Sequence, residues 1–214
     1  MPKSETRVVL VRHGETRWNA EGRFQGYSDS PLTPAGEAQA DALAARLAQE
    51  KFDAIYSSDL GRVRQTVAPL MARTGQAVQF DAALRERCYG VLEGKTVAEL
   101  EREFPHDLAN YRGRDPHAVP PEGESVAQFH TRIVATLERI AAENGGRHIA
   151  IVAHGGVLGA LYRHINNLAL DSPRVYSLSN ASINRFVFNR RRWMIEVWGD
   201  VSHLRGTVLD EIQS

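Results

Sequence analysis

The sequence predicts an α/β fold: a three-layer α/β/α sandwich around a mostly parallel mixed sheet, with a lid-like excursion, in a single domain over residues 1–214. Three observations carry that prediction. Short β-branched, apolar runs alternate with longer stretches of helical spacing, as in strand–helix–strand units. Two of these runs, 6–12 (TRVVLVR) and 148–153 (HIAIVA), are apolar almost throughout, which suits strands covered on both faces. The chain then closes on two strand-like runs joined by a polar turn.

Taken in order, the first strand runs straight into Arg12-His13-Gly14, and a Gly- and polar-rich loop follows over 15–32. Thr33 caps a helix with Pro34 at its first position, and Ala and Leu recur at helical spacing to about Gln49. Residues 54–57 (AIYS) form a short strand. A helix follows over 61–74 with a kink expected at Pro69, then a strand at 78–80. Thr96 with Glu99, and Ser125 with Gln128, have capping-box spacing. The first opens a short helix. The second opens a long one to about Asn144, with Val126, Phe129, Ile133, Leu137 and Ile140 on its apolar stripe. Between them, 105–123 is rich in Pro, Gly and charge and reads as a surface excursion that could serve as a lid. After the 148–153 strand, His154-Gly155-Gly156 opens a helix to about Ile165. Strands at 183–188 and 193–198 complete the fold. No internal repeat or linker divides the chain.

Composition sets further bounds. Hydrophobic residues make up 43% and charged residues 24%, in the range of globular domains. Lys plus Arg and Asp plus Glu are equal at 26 each, so no global field draws in nucleic acid or an anionic membrane, and neither is an expected partner. The single cysteine, Cys88, leaves no internal disulfide and suits a reducing compartment. The apolar run near the N-terminus, 8–11, is too short for a secretory leader, and no stretch approaches a membrane span. A cytoplasmic location is expected.

The chemistry concentrates where the two most apolar strands each end in a His followed by a Gly, at His13-Gly14 and His154-Gly155. Ligands of open α/β sheets bind outside the carboxyl ends of the strands, so central strands would bring both histidines to one crevice. The helix entered through Gly155 offers free N–H groups, which favour an anion. A neutral imidazole nitrogen is a competent nucleophile, and a phosphoryl group spreads its charge over three oxygens that need cations around them. Arg12 supplies one. A second is wanted opposite, and Arg62, just past a strand, is the candidate, with Arg64 as rival. A leaving alkoxide needs a proton, and Glu86 can supply it.

At this point the sequence resembles the histidine phosphatase superfamily, specifically the branch of the cofactor-dependent phosphoglycerate mutases and their phosphatase relatives. The resemblance rests on Arg12-His13-Gly14-Glu15-Thr16 with Trp18-Asn19, Arg23-Phe24-Gln25-Gly26, and Pro31-Leu32-Thr33 with Gly36. It continues through Ser57-Ser58-Asp59-Leu60-Gly61-Arg62 with Gln65-Thr66, Glu86 with Tyr89-Gly90, Glu93-Gly94, Gly123-Glu124-Ser125 and Val152-Ala153-His154-Gly155-Gly156. Asp200 to Leu204 resembles the family's tail. The other branch, the acid phosphatases and phytases, carries a different pattern after Arg-His-Gly and an acidic residue near the second His. The resemblance implies that His13 becomes phosphorylated and that Arg12, Arg62 and His154 hold the phosphoryl oxygens. It further implies that Asn19 and the Gln25-Gly26 backbone line the pocket, with Tyr89 and Gly155 among the substrate-binding positions. Glu86 would protonate the leaving oxygen and then serve as base for water. No metal is implied, and a bisphosphate activator only for a mutase.

Three functions follow, in order of preference: a phosphatase hydrolysing small phosphate monoesters, a phosphoglycerate mutase, and a protein that binds phospho-ligands without turnover. After the second His the mutases typically carry Gly-Asn-Ser-Leu-Arg, whereas this chain has Gly155-Gly156-Val157-Leu158-Gly159. It also has the shorter Leu92-Glu93-Gly94-Lys95-Thr96 segment seen in phosphatases, and only Arg112 and Arg114 as a loose echo of the mutases' paired arginines. Substrate specificity is expected from Gln25, Tyr27, Tyr89 and residues 95–123. Blander readings stand beside these: a strand-end His satisfied by a carbonyl, an Arg85–Glu86–Arg87 surface salt-bridge cluster, Asn19 shaping its loop. Cys88 is read as a packing residue, because a cysteine phosphatase wants an arginine where Gly94 stands. His106, His117, His130, His148, His164 and His203 lack metal-ligand spacing. The 190–192 arginines read as a solvated hairpin tip. Monomer and homodimer both stay open, with the late strand pair offering an edge for pairing.

Overall fold

The computed structural model describes residues 5–204. Strands are β1 (Thr6–Arg12), β2 (Ala54–Ser57), β3 (Val78–Phe80), β4 (His148–Ala153), β5 (Ile183–Asn189) and β6 (Arg192–Asp200). Helices are α1 (Arg17–Glu21), α2 (Pro34–Leu47), α3 (Gly61–Thr74), α4 (Val97–Glu103), α5 (Pro105–Arg112), α6 (Val126–Glu143) and α7 (Gly155–Ile165). The strands form one sheet in the order β3-β2-β4-β1-β5-β6. β3, β2, β4 and β1 are mutually parallel, and the β5–β6 hairpin joins antiparallel beside β1. The mixed, mostly parallel sheet of the sequence reading is therefore the observed one.

Alternation along the strands builds the three layers. Val8, Leu10, Ile149 and Ile151 point to one face and pack under Phe129, Ile133, Leu137 and Ile140 of α6 and Val157, Leu158 and Leu161 of α7. Val9, Val11, Ala150 and Val152 point to the other and meet Leu43, Ala44 and Leu47 of α2 and Val63, Val67 and Leu70 of α3. β1 and β4 have no water-facing side over most of their length, which explains why their sequences are apolar throughout.

Most helix starts are the predicted ones. Thr33 caps α2 with Pro34 in its first turn, and Thr96 and Ser125 form full capping boxes with Glu99 and Gln128. α3 runs through Pro69. Two elements differ from expectation. The loop after β1 contains α1, capped reciprocally by Thr16 and Asn19, a box with Asn where Glu or Gln is usual. The excursion at 105–123 begins with α5, whose Leu108 is buried with Leu92 and Leu100 in a third apolar cluster flanked by Phe24, Tyr89 and Tyr111. Its first half is thus a packed helix started by Pro105 rather than irregular chain.

The turn after β1 lies directly on the start of α2, where two glycines leave room for backbone against backbone. A Cβ on Gly36 would stand 2.0 Å from the Glu15 carbonyl oxygen, and one on Gly14 2.6 Å from that of Gly36. Neither obstacle is a flexible side chain, so Gly36→Ala should destabilise the fold by about 1–3 kcal/mol. Urea unfolding checks this, and an unchanged midpoint would contradict the close approach.

Candidate active site

The register of the parallel strands assembles the site. Arg12 pairs with Ala153 across β1 and β4, and Ser57 of β2 pairs with Val152. The residue after each strand, His13, His154 and Ser58, therefore emerges at the same carboxyl edge. The pairing persists one step past the strands, with His13 N–H donating to Ala153 O at 3.0 Å and Ser58 N–H to Val152 O at 3.0 Å. The two imidazoles lie edge to face with centroids 5.4 Å apart.

Hydrogen bonding selects a tautomer for each ring. His13 Nδ1 is 2.7 Å from Gly14 O, which can only accept, so Nδ1 carries the proton and Nε2 keeps its lone pair. Arg62 Nη2 lies 3.2 Å from His154 Nδ1 and can only donate. The proton of His154 then sits on Nε2, 2.8 Å from Ser58 Oγ. Both rings are buried, and both are held well below the ordinary histidine pKa. Burial is the largest cause, followed for His13 by Arg62 and Arg12, and for His154 by Arg62, His13 and Arg12.

Both arginines are about as buried as the core, at 1% exposure. Arg62 enters on the first turn of α3. Its Nη1 donates to Ser28 O at 3.1 Å and to Asp29 Oδ1 at 3.0 Å, and its Nη2 to Gly26 O at 2.8 Å. Asp29 also accepts from the Arg62 main-chain N–H, so one carboxylate steadies both the guanidinium and the helix start. Arg12 Nη1 donates to Leu178 O. Of the rivals, Arg62 and not Arg64 reaches the histidines: Arg64 turns to Asp59 O and lies over the Phe80 ring.

Glu86 is buried, and each of its oxygens accepts one main-chain N–H: Oε1 from Arg87 and Oε2 from Gly156, both at 2.8 Å. Two sequence expectations change here. The N-terminal N–H of α7 at Gly156 is given to Glu86 rather than left for a substrate anion. The Arg85–Glu86–Arg87 salt-bridge cluster does not form, because Arg85 pairs with Asp59 and Arg87 Nε donates to Glu124 O. Arg87 is itself buried, lies over Tyr89, and lines a cleft with Leu92, Asp107, Asn110, Tyr111 and Val119 beneath α5.

The remaining predicted positions make the following contacts. Asn19 Oδ1 accepts from Thr16 N–H and lies 3.3 Å from Asn180 Nδ2. Gln25 is buried with its amide donating to Thr16 Oγ1. Gly26, at φ +69°, turns its carbonyl to Arg62. Tyr89 stacks edge-on against Phe24 and Tyr111 in the third apolar cluster, and Gly155 is the first residue of α7. Cys88 is partly exposed, its Sγ 3.3 Å from Glu122 O. Among the described residues no three or more His, Cys, Asp or Glu side chains form a metal-binding group, and no helix is long and apolar enough to cross a membrane.

Sequence reasoning missed several supports. Asn180, fully buried before β5, donates to His13 O at 3.1 Å. Glu93 accepts from the N–H groups of Tyr27, Ser28 and Tyr89 and so ties the Gly26 turn to the Glu86 segment. Asp29 and Ser58 act on Arg62 and His154 as described. Only the presence of Ser58 and Glu93 within the recognised motifs signalled them.

The model of the histidine phosphatase superfamily (branch 1) matches residues 8–201. The chain belongs to this family. It is 39% identical over 211 residues to the Escherichia coli protein named "Probable phosphoglycerate mutase GpmB", covering 96% of this chain and 98% of that one. Bacillus stearothermophilus YhfR superposes with a TM-score of 0.83 at 33% identity, over 92% of this chain and 98% of its own. A mycobacterial glucosyl-3-phosphoglycerate phosphatase, solved with VO3, superposes with a TM-score of 0.77 at 32% identity, over 90% and 98%. As a histidine phosphatase of the phosphoglycerate mutase-like kind, the chain is an enzyme.

The lowered histidine pKa values have a consequence for stability. The unfolded chain binds protons on these rings at a higher pH than the folded one, so stability is full above the unfolded value near 6.5. It is lost as pH falls through that value. Urea midpoints should therefore drop between pH 7 and pH 5, and the drop should shrink when His13 and His154 are replaced together by Asn. An equal drop in that variant would show that the two rings are not the buried neutral bases described.

Proposed function

We propose that this histidine phosphatase hydrolyses small phosphate monoesters through a phosphohistidine on His13. The supporting observation is the His13 ring itself: neutral, with Nδ1 tied to Gly14 O and the Nε2 lone pair free, in a buried centre containing Arg12 and Arg62. Nε2 attacks phosphorus as the P–O bond to the alcohol breaks, and the departing oxygen takes a proton from Glu86. Water then attacks the phosphohistidine and gives a proton to Glu86, the P–N bond breaks, and phosphate leaves with His13 restored. Arg12 and Arg62 hold the equatorial oxygens, and His154 gives its Nε2–H to one of them in place of Ser58 Oγ, the function that metal ions serve in many phosphoryl-transfer sites. No metal is required in this reading.

The alcohol portion of the substrate lies toward Tyr89 and the cleft beneath α5. Arg87 there has no carboxylate partner among the described residues, which favours an alcohol bearing an acidic group. The phosphatase names of structural neighbours agree with hydrolysis. Phosphoglycerate mutase activity is the second reading, favoured by the name of the relative at 39% identity. That reaction would need a bisphosphate activator to phosphorylate His13.

Phosphate release from 4-nitrophenyl phosphate and from 3-phosphoglycerate, with and without chelator, separates the readings. Release should survive chelator and fall to background in His13→Ala. Interconversion of phosphoglycerates faster than phosphate release would make the enzyme a mutase, and inactivation by chelator would refute the metal-free mechanism. Arg87→Met should raise KM for 3-phosphoglycerate about tenfold or more and leave that for 4-nitrophenyl phosphate nearly unchanged.

A further inference from the structure

Glu86 is held from two sides by residues that touch no reacting atom in the mechanism above. In front, Gly156 brings its N–H to 2.8 Å from Oε2, and only a glycine permits this seat. A Cβ there would stand 2.0 Å from Glu86 Oε1 and 3.0 Å from Phe129 Cζ. Gly156 is helical and its φ is not positive, so the absence of a side chain answers no backbone need. Behind, Arg132 of α6 reaches the chain that carries Glu86. Its Nη1 donates to Ala83 O at 2.9 Å and Arg85 O at 3.0 Å, and its Nη2 to Glu86 O at 3.2 Å. Glu124 completes the brace: it pairs with Arg132 and accepts from Cys88 N–H at 3.0 Å.

We propose that Gly156 and Arg132 are positioning residues that fix the Glu86 carboxyl at the leaving-group oxygen. This rests on the reading of Glu86 as general acid and base. Each Glu86 oxygen accepts one main-chain N–H, which fixes the plane of the carboxyl group. Alanine at 156 forces the carboxylate off Gly156 N–H, while removing the guanidinium at 132 frees the main chain behind it. A displaced acid slows the release of alcohols that need a proton and spares those that leave as stable anions. Nucleophilic attack by His13 itself draws no proton from Glu86.

The test compares kcat/KM on 4-nitrophenyl phosphate, a good leaving group, with that on glycerol 2-phosphate, a poor one. It uses Gly156→Ala, Arg132→Met and Glu86→Gln, with folding checked by thermal melting. Gly156→Ala puts the strongest helix former in a helix, so an intact fold is expected of it even if Arg132→Met melts early. The expected result is a fall of about 10²-fold on the alkyl ester in Gly156→Ala and Glu86→Gln, with less than about threefold on the aryl ester. A folded Arg132→Met should show the same preference. An equal fall on both esters in Gly156→Ala, or no fall on either, overturns the proposal. If Glu86→Gln shows no leaving-group preference while Gly156→Ala does, the acid role of Glu86 fails instead, so the two failures are distinguishable.

Discussion

Two guanidinium charges kept out of water govern the carboxyl edge of this sheet. Arg12 and Arg62 are as buried as the leucines beneath them, and an unpaired charge so placed would be intolerable. The chain therefore folds its connections around them. The Gly26 turn and Ser28 give carbonyls to Arg62, Asp29 gives a carboxylate, and the segment before β5 gives the Leu178 carbonyl to Arg12. Loops distant in sequence are thereby fixed to one centre. Burial, and then the same two charges, keeps His13 and His154 neutral.

In the proposed mechanism that arrangement separates phosphoryl binding from proton transfer. The cations and His154 gather near the His13 ring, while Glu86 is held by main-chain donors and its main chain by Arg132. A donor-rich centre suits a phosphoryl group whose charge is spread over three equatorial oxygens in the transition state, and a carboxyl seated by other contacts suits an alcohol that needs one proton. The geometry is preorganised: parallel strands in register set the histidines, and helix starts set Arg62 and Gly156.

The parts legible in the sequence were those governed by local rules. Uninterrupted apolar runs identified β1 and β4, capping spacings identified α2, α4 and α6, and a His-Gly at the end of each central strand marked the carboxyl edge where the two imidazoles meet. α1 escaped because Asn19 closes its capping box, a weaker signal than Glu or Gln. α5 escaped because its only deeply buried residue is Leu108, within a Pro- and charge-rich stretch. Supports such as Asp29, Asn180 and Arg132 could not be read because their partners lie 33, 167 and about 46–49 positions away. Gly156 is instructive. The helix start it belongs to was expected to offer its N–H groups to an anion, yet the N–H of Gly156 is used by a side chain of the protein itself.

The central claim is that His13 Nε2 accepts the phosphoryl group. Rapid acid-free quenching during turnover of a phosphate monoester, followed by peptide mapping by mass spectrometry, tests it most directly. The account predicts a single acid-labile phosphorylated peptide that contains residue 13, with the phosphoryl group on the imidazole. Phosphate carried by Cys88, Ser58 or any residue other than His13, or turnover with no covalent phosphoenzyme even when its breakdown is slowed by Glu86→Gln, would contradict it.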